Sequence, residues 1–522
     1  MKGYTSIKVL FFMAFYSGIL LSQNVNLSNG VIFDGEPYIE IDPTNSAHLV
    51  VAWMSFAPRT RKVSIKLRVS FDGGATWGEI QTIPHVHDSN TSADPSIAFD
   101  NNGNVFLSFV DYNKDSARGA VFIVKSTDGG LTWGTPVEVI NSDADLQKPI
   151  DRPWISVDRS GGLTDGNIYV TTMPPRVFGY LPPPYHPYLS VSTDRGNSFS
   201  WRYVDTTGWL SGNLIRQPMA TLCVASDGVL HVVYPSYVPS QDSLFRFIHA
   251  SSNDGGQSFS YNTLLRTNSF VDDTLVKKGY LILADPSNPE HLAFVFLAKP
   301  YGDIDVFLTE SFDGGITWSD QTRVNDDPVG NNRIQDMLWA DFDNDGDLAI
   351  AWRDRRNGED STYQTSYEIW GAVKWKDSTG FSRNFRISDT LIPYHPFVAL
   401  SGNDFMCVRF LNDTIYAVWG DTRSGKMDVY FQKMTPSGTI GIRENDQLEE
   451  VTEIPILLTS SKILIKADRV TKVRLFSADG RLLFQKSGDV KVIKLNRLPH
   501  GIYFINVQTE NGTMTQTLIN LR

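Results

Sequence analysis

Five octets of the form Ser-x-Asp-x-Gly-x-x-Trp/Phe punctuate this chain, beginning at Ser70, Ser126, Ser192, Ser252 and Ser311. Their starts lie 56, 66, 60 and 59 residues apart. In the third octet Arg195 replaces the first glycine. A period this regular marks a repeat array, in which each unit buries its faces only against its neighbours. The chemistry of the octet is local. The carboxylates of Asp72, Asp128, Asp194, Asp254 and Asp313 can each accept backbone N–H groups across a turn, and glycine permits a positive φ.

A second periodic feature leads into apolar segments. A short polar stretch, often ending in proline, recurs as Glu36-Pro37, Asp94-Pro95, Arg152-Pro153, Gln217-Pro218, Gly279-Tyr280, Asp336-Met337 and His395-Pro396. Proline suits the first residue of a strand, where no ladder donor is required. Each unit then reads as strand, turn, strand, loop, strand, octet turn, strand, which is one four-stranded propeller blade. The sixth and seventh units lack a clean octet. Seven starts predict an all-β, seven-bladed propeller over 24–440. Six blades is the alternative, with one terminal unit outside the ring. Residues 24–33 are expected to add a strand to the last blade.

The octets resemble the Asp box of the sialidase superfamily, the BNR repeat. That resemblance implies a hairpin between the two outer strands of a blade, on the face away from any ligand site. The boxes are therefore expected to be structural. Sialidases have six blades and an arginine at the first strand start, where this chain has Gly35-Glu36-Pro37-Tyr38. The resemblance implies a sialidase-like protein and leaves open whether it is catalytic. An enzyme of this kind would be a glycoside hydrolase or a polysaccharide lyase.

After about Gly438 the pattern changes. Residues 441–455 include an acidic stretch that reads as a linker. Residues 456–522 carry a compact β pattern without octets, expected to form a small Ig-like β-sandwich. The segments Val473-Arg474-Leu475-Phe476, Asp479-Gly480-Arg481 and Leu498-Pro499-His500-Gly501-Ile502-Tyr503 resemble the type A C-terminal sorting domain of the type IX secretion system. This resemblance implies the secretion machinery as a partner. At the other end, Lys2 and Lys8 flank an apolar run to Leu21, so residues 1–23 read as a signal peptide. The expected location is secreted or at the cell surface, by way of the periplasm.

A net charge of −11 argues against nucleic acid or anionic membrane as a general partner. No segment reads as a membrane span. The two cysteines, Cys223 and Cys407, are expected to be free.

Ligands of propellers usually bind at the channel mouth, where the innermost strands begin. The residues expected there are Glu36, Asp94, Asp151, Arg152, Arg216, Arg333, Asp336 and His395. Loops after the second strands add Asp354, Arg355 and Arg423, within or beside two Trp-x-Asp-x-Arg patterns. Paired acids suit glycoside cleavage, so Asp94, Asp151, Asp336 and Asp354 are the catalytic candidates. Arginines suit a carboxylated sugar, so Glu36, Arg152, Arg216, Arg333, Arg355, His395 and Arg423 are the binding candidates. The competing reading is that these groups pair with one another and staple the blades. The expected ligand is an acidic glycan or glycoconjugate. The alternative is a non-catalytic propeller that binds glycan or protein. Asp341, Asp343 and Asp345 resemble a calcium loop, although an ordinary turn fits the same pattern. No other cofactor is indicated.

Overall fold

In the computed structural model, residues 23–436 are described apart from 117, 146–148, 174–185, 206–218, 239, 270–278 and 399–402. From 456 to 520 the strands and a few neighbouring residues are described. The expected signal peptide 1–23 apart from Gln23, the expected linker 441–455, Arg216, and residues 478–480 and 495–500 lie outside the described residues. The chain divides into two units, Met1–Gly441 and Ile442–Arg522.

The first unit contains seven four-stranded antiparallel sheets, which are the seven blades. The first blade is Asp34–Asp42, Asn45–Ala57, Lys62–Ser70 and Gln81–Thr82, paired in that order. The next five blades follow the same order, with innermost strands Thr91–Phe99, Asp151–Val157, Thr221–Val224, Tyr280–Ala284 and Gln335–Phe342. The seventh takes three strands from the end of the unit and its fourth from the N-terminal Val25–Asn26, which pairs with Tyr430 and Phe431. The second strands are buried almost throughout, as in Leu230–Ser236 and Leu292–Ala298. Both their faces pack against neighbouring blades, so they read as continuous apolar runs rather than as alternation.

The octets lie between the third and fourth strands, as expected. Ser70 pairs with Leu49, and Leu49 with Ile41, so the box sits beside the turn that ends the innermost strand. The strand start near Gly35 pairs with Met54, at the opposite end of the blade. Boxes and strand starts therefore occupy opposite faces. Within each box the serine hydroxyl donates to the aspartate and accepts an N–H. For the first, Ser70 Oγ donates to Asp72 at 2.8 Å and accepts Gly74 N at 2.9 Å. Asp72 in turn accepts the N–H and hydroxyl of Thr76 at 2.8 and 2.5 Å. Those bonds, the Thr76 hydroxyl foremost, bring the Asp72 pKa down to about 2. In the first, second and fourth blades the box also fastens the blade to the one before it. Lys433, Gln81 and Arg202 donate to the box carbonyls of Gly73, Gly130 and Gly256 at 3.0, 2.9 and 3.0 Å. Gly74 has φ +70 to +90 like its counterparts, and a Cβ there would stand 2.7 Å from the Phe431 ring of the last blade.

The second unit has a three-stranded sheet, Ile456–Leu458, Lys462–Ile465 and Val492–Lys494, and a four-stranded sheet ordered Leu482–Ser487, Val470–Ser477, Gly501–Thr509, Gly512–Asn520. Ile463, Val473, Leu475, Ile493, Ile505 and Val507 belong to one core. Two small sheets around a single core fit the expected sandwich.

Candidate functional site: an acidic collar at the channel mouth

Four innermost strands begin with the same bulge. Their registers shift between Gly35 and Tyr38, Ala93 and Ser96, Asp151 and Trp154, and Asp336 and Trp339. At each bulge one residue other than glycine takes a positive φ: Glu36 at 51°, Asp94 at 53°, Arg152 at 48° and Met337 at 54°. Such backbone costs about 1–2 kcal/mol per residue and persists only where the surroundings enforce it. The bulge re-aims the side chains of three adjacent blades towards one another.

Among the described residues, the result is a collar of four carboxyl groups around one guanidinium. Arg152 pairs with Asp404 at 2.7 Å, and its backbone N–H donates to Asp94 at 3.3 Å. The Asp404 N–H donates to Glu36 Oε1 at 3.2 Å. Glu36 is 1% exposed, and its Oε2 receives no donor. Burial pushes the Glu36 carboxyl well above its usual range, and the charges of Asp94 and Asp404 push it further. Asp151 is raised in the same way, by burial and then by Asp94. Asp94 thus adds to the effect of burial on both carboxyls. Burial alone would depress the pKa of Arg152, but Asp404, Asp151, Glu36 and Asp94 outweigh it and hold the guanidinium charged. Tyr112 stands close by. Burial, then Asp94, Asp151 and Glu36, moves its phenol up to about 12.

Beneath the collar the channel is filled with rings. Trp154 lies 5.4 Å from Trp339 and 4.9 Å from Phe405, and Tyr38 lies 5.4 Å from Trp339. A small cavity of about 20 Å³, the room of a single water molecule, is lined by Arg152, Trp154, Tyr280, Trp339, Asp404 and Phe405 among others.

The structure thus brings together Glu36, Asp94, Asp151 and Arg152. It places other candidates elsewhere. Asp336 accepts both Nε and a terminal nitrogen of Arg353 at 2.7 and 2.5 Å, and Arg355 at 3.0 Å. All three side chains are buried. Burial would raise the Asp336 pKa, but the two guanidinium groups outweigh it and hold it well below the usual range. Asp336 and Arg355 therefore form a staple inside the sixth blade. Asp354 accepts the indole N–H of Trp352 at 2.6 Å and Nε of Arg356 at 3.0 Å. The seventh blade repeats this with Trp419, Asp421 and Arg423, at 2.9 and 3.0 Å. Arg356 lies over the Trp370 ring at 4.1 Å and Arg423 over Tyr430 at 4.3 Å. The Trp-x-Asp-x-Arg pattern is thus a blade staple in the two blades without a box. Arg333 donates to the carbonyls of Gly358 and Asp360 and holds the loop after its second strand.

His395 does not start a strand. It precedes the short helical turn Pro396–Val398, and the seventh innermost strand is Cys407–Leu411. The residue that reaches the collar from that blade is Asp404, which sequence reasoning missed. Its signal was the Asp-Phe-Met start of an apolar run, the same form as Asp336-Met-Leu.

The three acids of the calcium-like loop are engaged separately. Asp341 accepts Phe410 N, Asp343 accepts Asp413 N, and Asp345 pairs with Lys376, at 2.9, 2.8 and 3.0 Å. Among the described residues, no group of three or more His, Cys, Asp or Glu side chains could hold a metal ion. No helix among them is long and apolar enough to cross a membrane.

Ring, boxes and collar together define a seven-bladed Asp-box β-propeller. Residues 47–270 match the family model of the BNR repeat-like domain, and residues 459–520 match the secretion system C-terminal sorting domain. The chain therefore carries a BNR repeat propeller and a sorting domain that supports export to the surface or the medium. No curated protein matches the sequence. Among solved structures, a protein of unknown function from Dyadobacter fermentans is 13% identical, with 67% of this chain and 97% of that chain covered and a TM-score of 0.44. An alpha-L-arabinanase from Penicillium chrysogenum, solved with arabinobiose, is 13% identical, with coverage of 80% and 99% and a TM-score of 0.43. The NanB sialidase from Streptococcus pneumoniae is 12% identical, with coverage of 80% and 71% and a TM-score of 0.39.

Proposed function

We propose that this protein is an exported propeller that binds a glycan at the strand-start face, through Glu36, Asp94, Asp151, Arg152 and Asp404. The observation that carries this reading is the acidic collar above an aromatic floor, on the face opposite the boxes. Carboxyl groups hydrogen-bond sugar hydroxyls, and indole and phenol faces pack against sugar C–H surfaces. A few convergent polar groups over an aromatic wall are the usual make-up of a ligand pocket. The sequence alone pointed to an acidic glycan. Among the described residues of the collar, four carboxyl groups surround one guanidinium that already has a partner, which does not favour a carboxylated sugar.

A hydrolytic reading has one observation in its favour. Carboxyl groups held protonated by burial beside an ionisable partner are the raw material of general acid catalysis. We further propose that the chain reaches the periplasm by its N-terminal signal before the sorting domain acts.

The test is a glycan array with the purified full chain, followed by product analysis on every hit. Binding lost in Asp94→Asn and Arg152→Ala supports the site. Binding that survives both variants places the ligand elsewhere. Products that appear with the native chain and vanish in Asp94→Asn make it an enzyme.

A further inference from the structure

We infer that the seam between the fourth and fifth blades is an acid-sensitive latch, built on the buried pair His231 and His249 and closed only while both rings are neutral. The latch is independent of the channel mouth and of any ligand there.

The first reason is position. In each Asp box the glycine two places after the aspartate packs on the blade before it. A Cβ on Gly74, Gly130, Gly196 or Gly256 would meet Phe431, Val69, Phe106 or Leu189, all apolar. A Cβ on Gly315 would meet the His249 ring instead. His231 follows Leu230, which pairs with the box serine Ser252. The other four box blades have Val50, Phe106, Tyr169 and Ala293 at that place. His249 stands three residues before its box serine, where those blades have Leu67, Ile123, Leu189 and Leu308. Of the five box blades, only the fourth puts imidazoles at both places. A site that breaks its own repeat pattern in the core is where function is expected.

The second reason is the hydrogen-bond chain. The Asn262 amide donates to the carbonyl of Gly315 and, at 3.2 Å, to that of Ile316. Its oxygen therefore accepts His249 Nδ1–H at 3.0 Å. His249 Nε2 is left to accept His231 Nδ1–H at 2.9 Å. Both tautomers are assigned by this network, and both rings in it are neutral. A proton on His249 Nε2 would set donor against donor and break the chain. A proton on His231 Nε2, which has no hydrogen-bond partner, would place a charge in the core without an anion.

The third reason is the surroundings. The two residues are 1% and 2% exposed. Cys223 lies opposite His231 and Asn262 opposite His249, while Gly315 and Trp318 cover His249 from the fifth blade. Burial raises the Cys223 thiol pKa, so it stays neutral. Among the described residues, no carboxylate acts on either ring. Burial, and then His249, push His231 down to about 3, and burial pushes His249 down to about 4. His48 and His291 differ, because each has an aspartate partner, at 2.9 and 2.8 Å.

An opened seam exposes both rings to water, where each takes a proton near a pH of about 6.5. The open state then holds protons that the closed state does not, so closure weakens as pH falls from about 6.5 towards 4. Between pH 7 and pH 5 this favours opening about twentyfold for each histidine.

The experiment is amide hydrogen exchange of the full chain at pH 7 and pH 5, each corrected for the intrinsic exchange rate. Leu230–Ser236, Phe245–Ser252 and residues 311–318 are expected to exchange about twentyfold faster or more at pH 5. Their counterparts at the seam of the first and second blades, Asn45–Ala57, Lys62–Ser70 and residues 126–133, should not. The double variant His231→Val, His249→Leu installs the first blade's pair, Val50 and Leu67, and should remove the difference. If that variant does not fold, the contrast between the two seams of the native chain decides alone. Equal acceleration at both seams, acceleration that persists in the double variant, or no acceleration at all overturns the latch.

Discussion

Four residues carry most of the backbone strain at the mouth, and one of them separates architecture from function. Met337 takes the same positive φ as Glu36, Asp94 and Arg152, yet it is a buried apolar side chain. The bulge therefore belongs to the fold, and the charges in three blades are an addition to it. Those charges work against stability. Below its unfolded pKa of about 4.3, Glu36 is protonated in both states and its burial has no ionisation cost. As pH rises towards the raised folded value, the folded state retains a proton that the unfolded state has lost, and stability falls. Glycine at position 36 removes both the acid and the αL strain. Glu36→Gly should stabilise the propeller by about 1 kcal/mol, more at pH 8 than at pH 5, while ligand binding is lost. Urea denaturation at the two pH values tests this. A less stable variant at both would show that Glu36 is held by something other than the collar.

Each blade is held by one of two local devices. Blades one to five use the Asp box, whose aspartates are exposed or half-buried and accept bonds from residues up to four positions on. Blades six and seven use the tryptophan–aspartate–arginine staple, with the arginine laid over a ring on the adjoining strand. The sixth blade adds the buried group of Asp336, Arg353 and Arg355. Removing Asp336 leaves two buried guanidinium groups without their anion. Asp336→Ala should therefore cost about 3–5 kcal/mol, read as a lower denaturation midpoint. A loss below about 1 kcal/mol would mean that the pair is solvated rather than buried. The boxes were legible in the sequence because their bonds run within five residues. Asp336 and Arg353 were legible only as charged residues in two separate strands. That they neutralise each other depends on the antiparallel register that sets Asp336 opposite Arg353.

The ring closes through its two ends. The Asn24 backbone N–H donates to the Asp389 carboxylate at 2.9 Å, the Asp389 N–H donates to the Asn24 side-chain oxygen at 2.8 Å, the Asn24 amide donates to Gln432 at 2.8 Å, and Arg423 donates to Asn24 at 3.0 Å. On the innermost strands, Arg409 of the last blade pairs with Glu40 of the first at 2.6 Å and stands 3.8 Å from Asp341 of the sixth. Deleting residues 23–29 removes several partly buried hydrogen bonds and bares the edge of Asp428–Met434. The expected loss is about 3–4 kcal/mol, with faster amide exchange concentrated in that strand. Unchanged exchange there would mean that the seventh blade closes without its N-terminal strand.

The blades and their number were written in the chain, as was the sorting segment at its end, because turn chemistry and apolar periodicity act over a few residues and repeat. The membership of the collar was not. Arg152 meets Asp404 across 252 positions and Asp404 meets Glu36 across 368. Those separations are closed only when the last blade docks against the first. Proline marked Glu36, Asp94 and Arg152 as strand starts, whereas Asp404 has no proline beside it, and His395-Pro396 imitated the signal. Sequence marked most of the strand starts, because each strand start is a local event. Tertiary structure decided which of them face a partner and which face the channel, because burial and charge balance are properties of the closed ring.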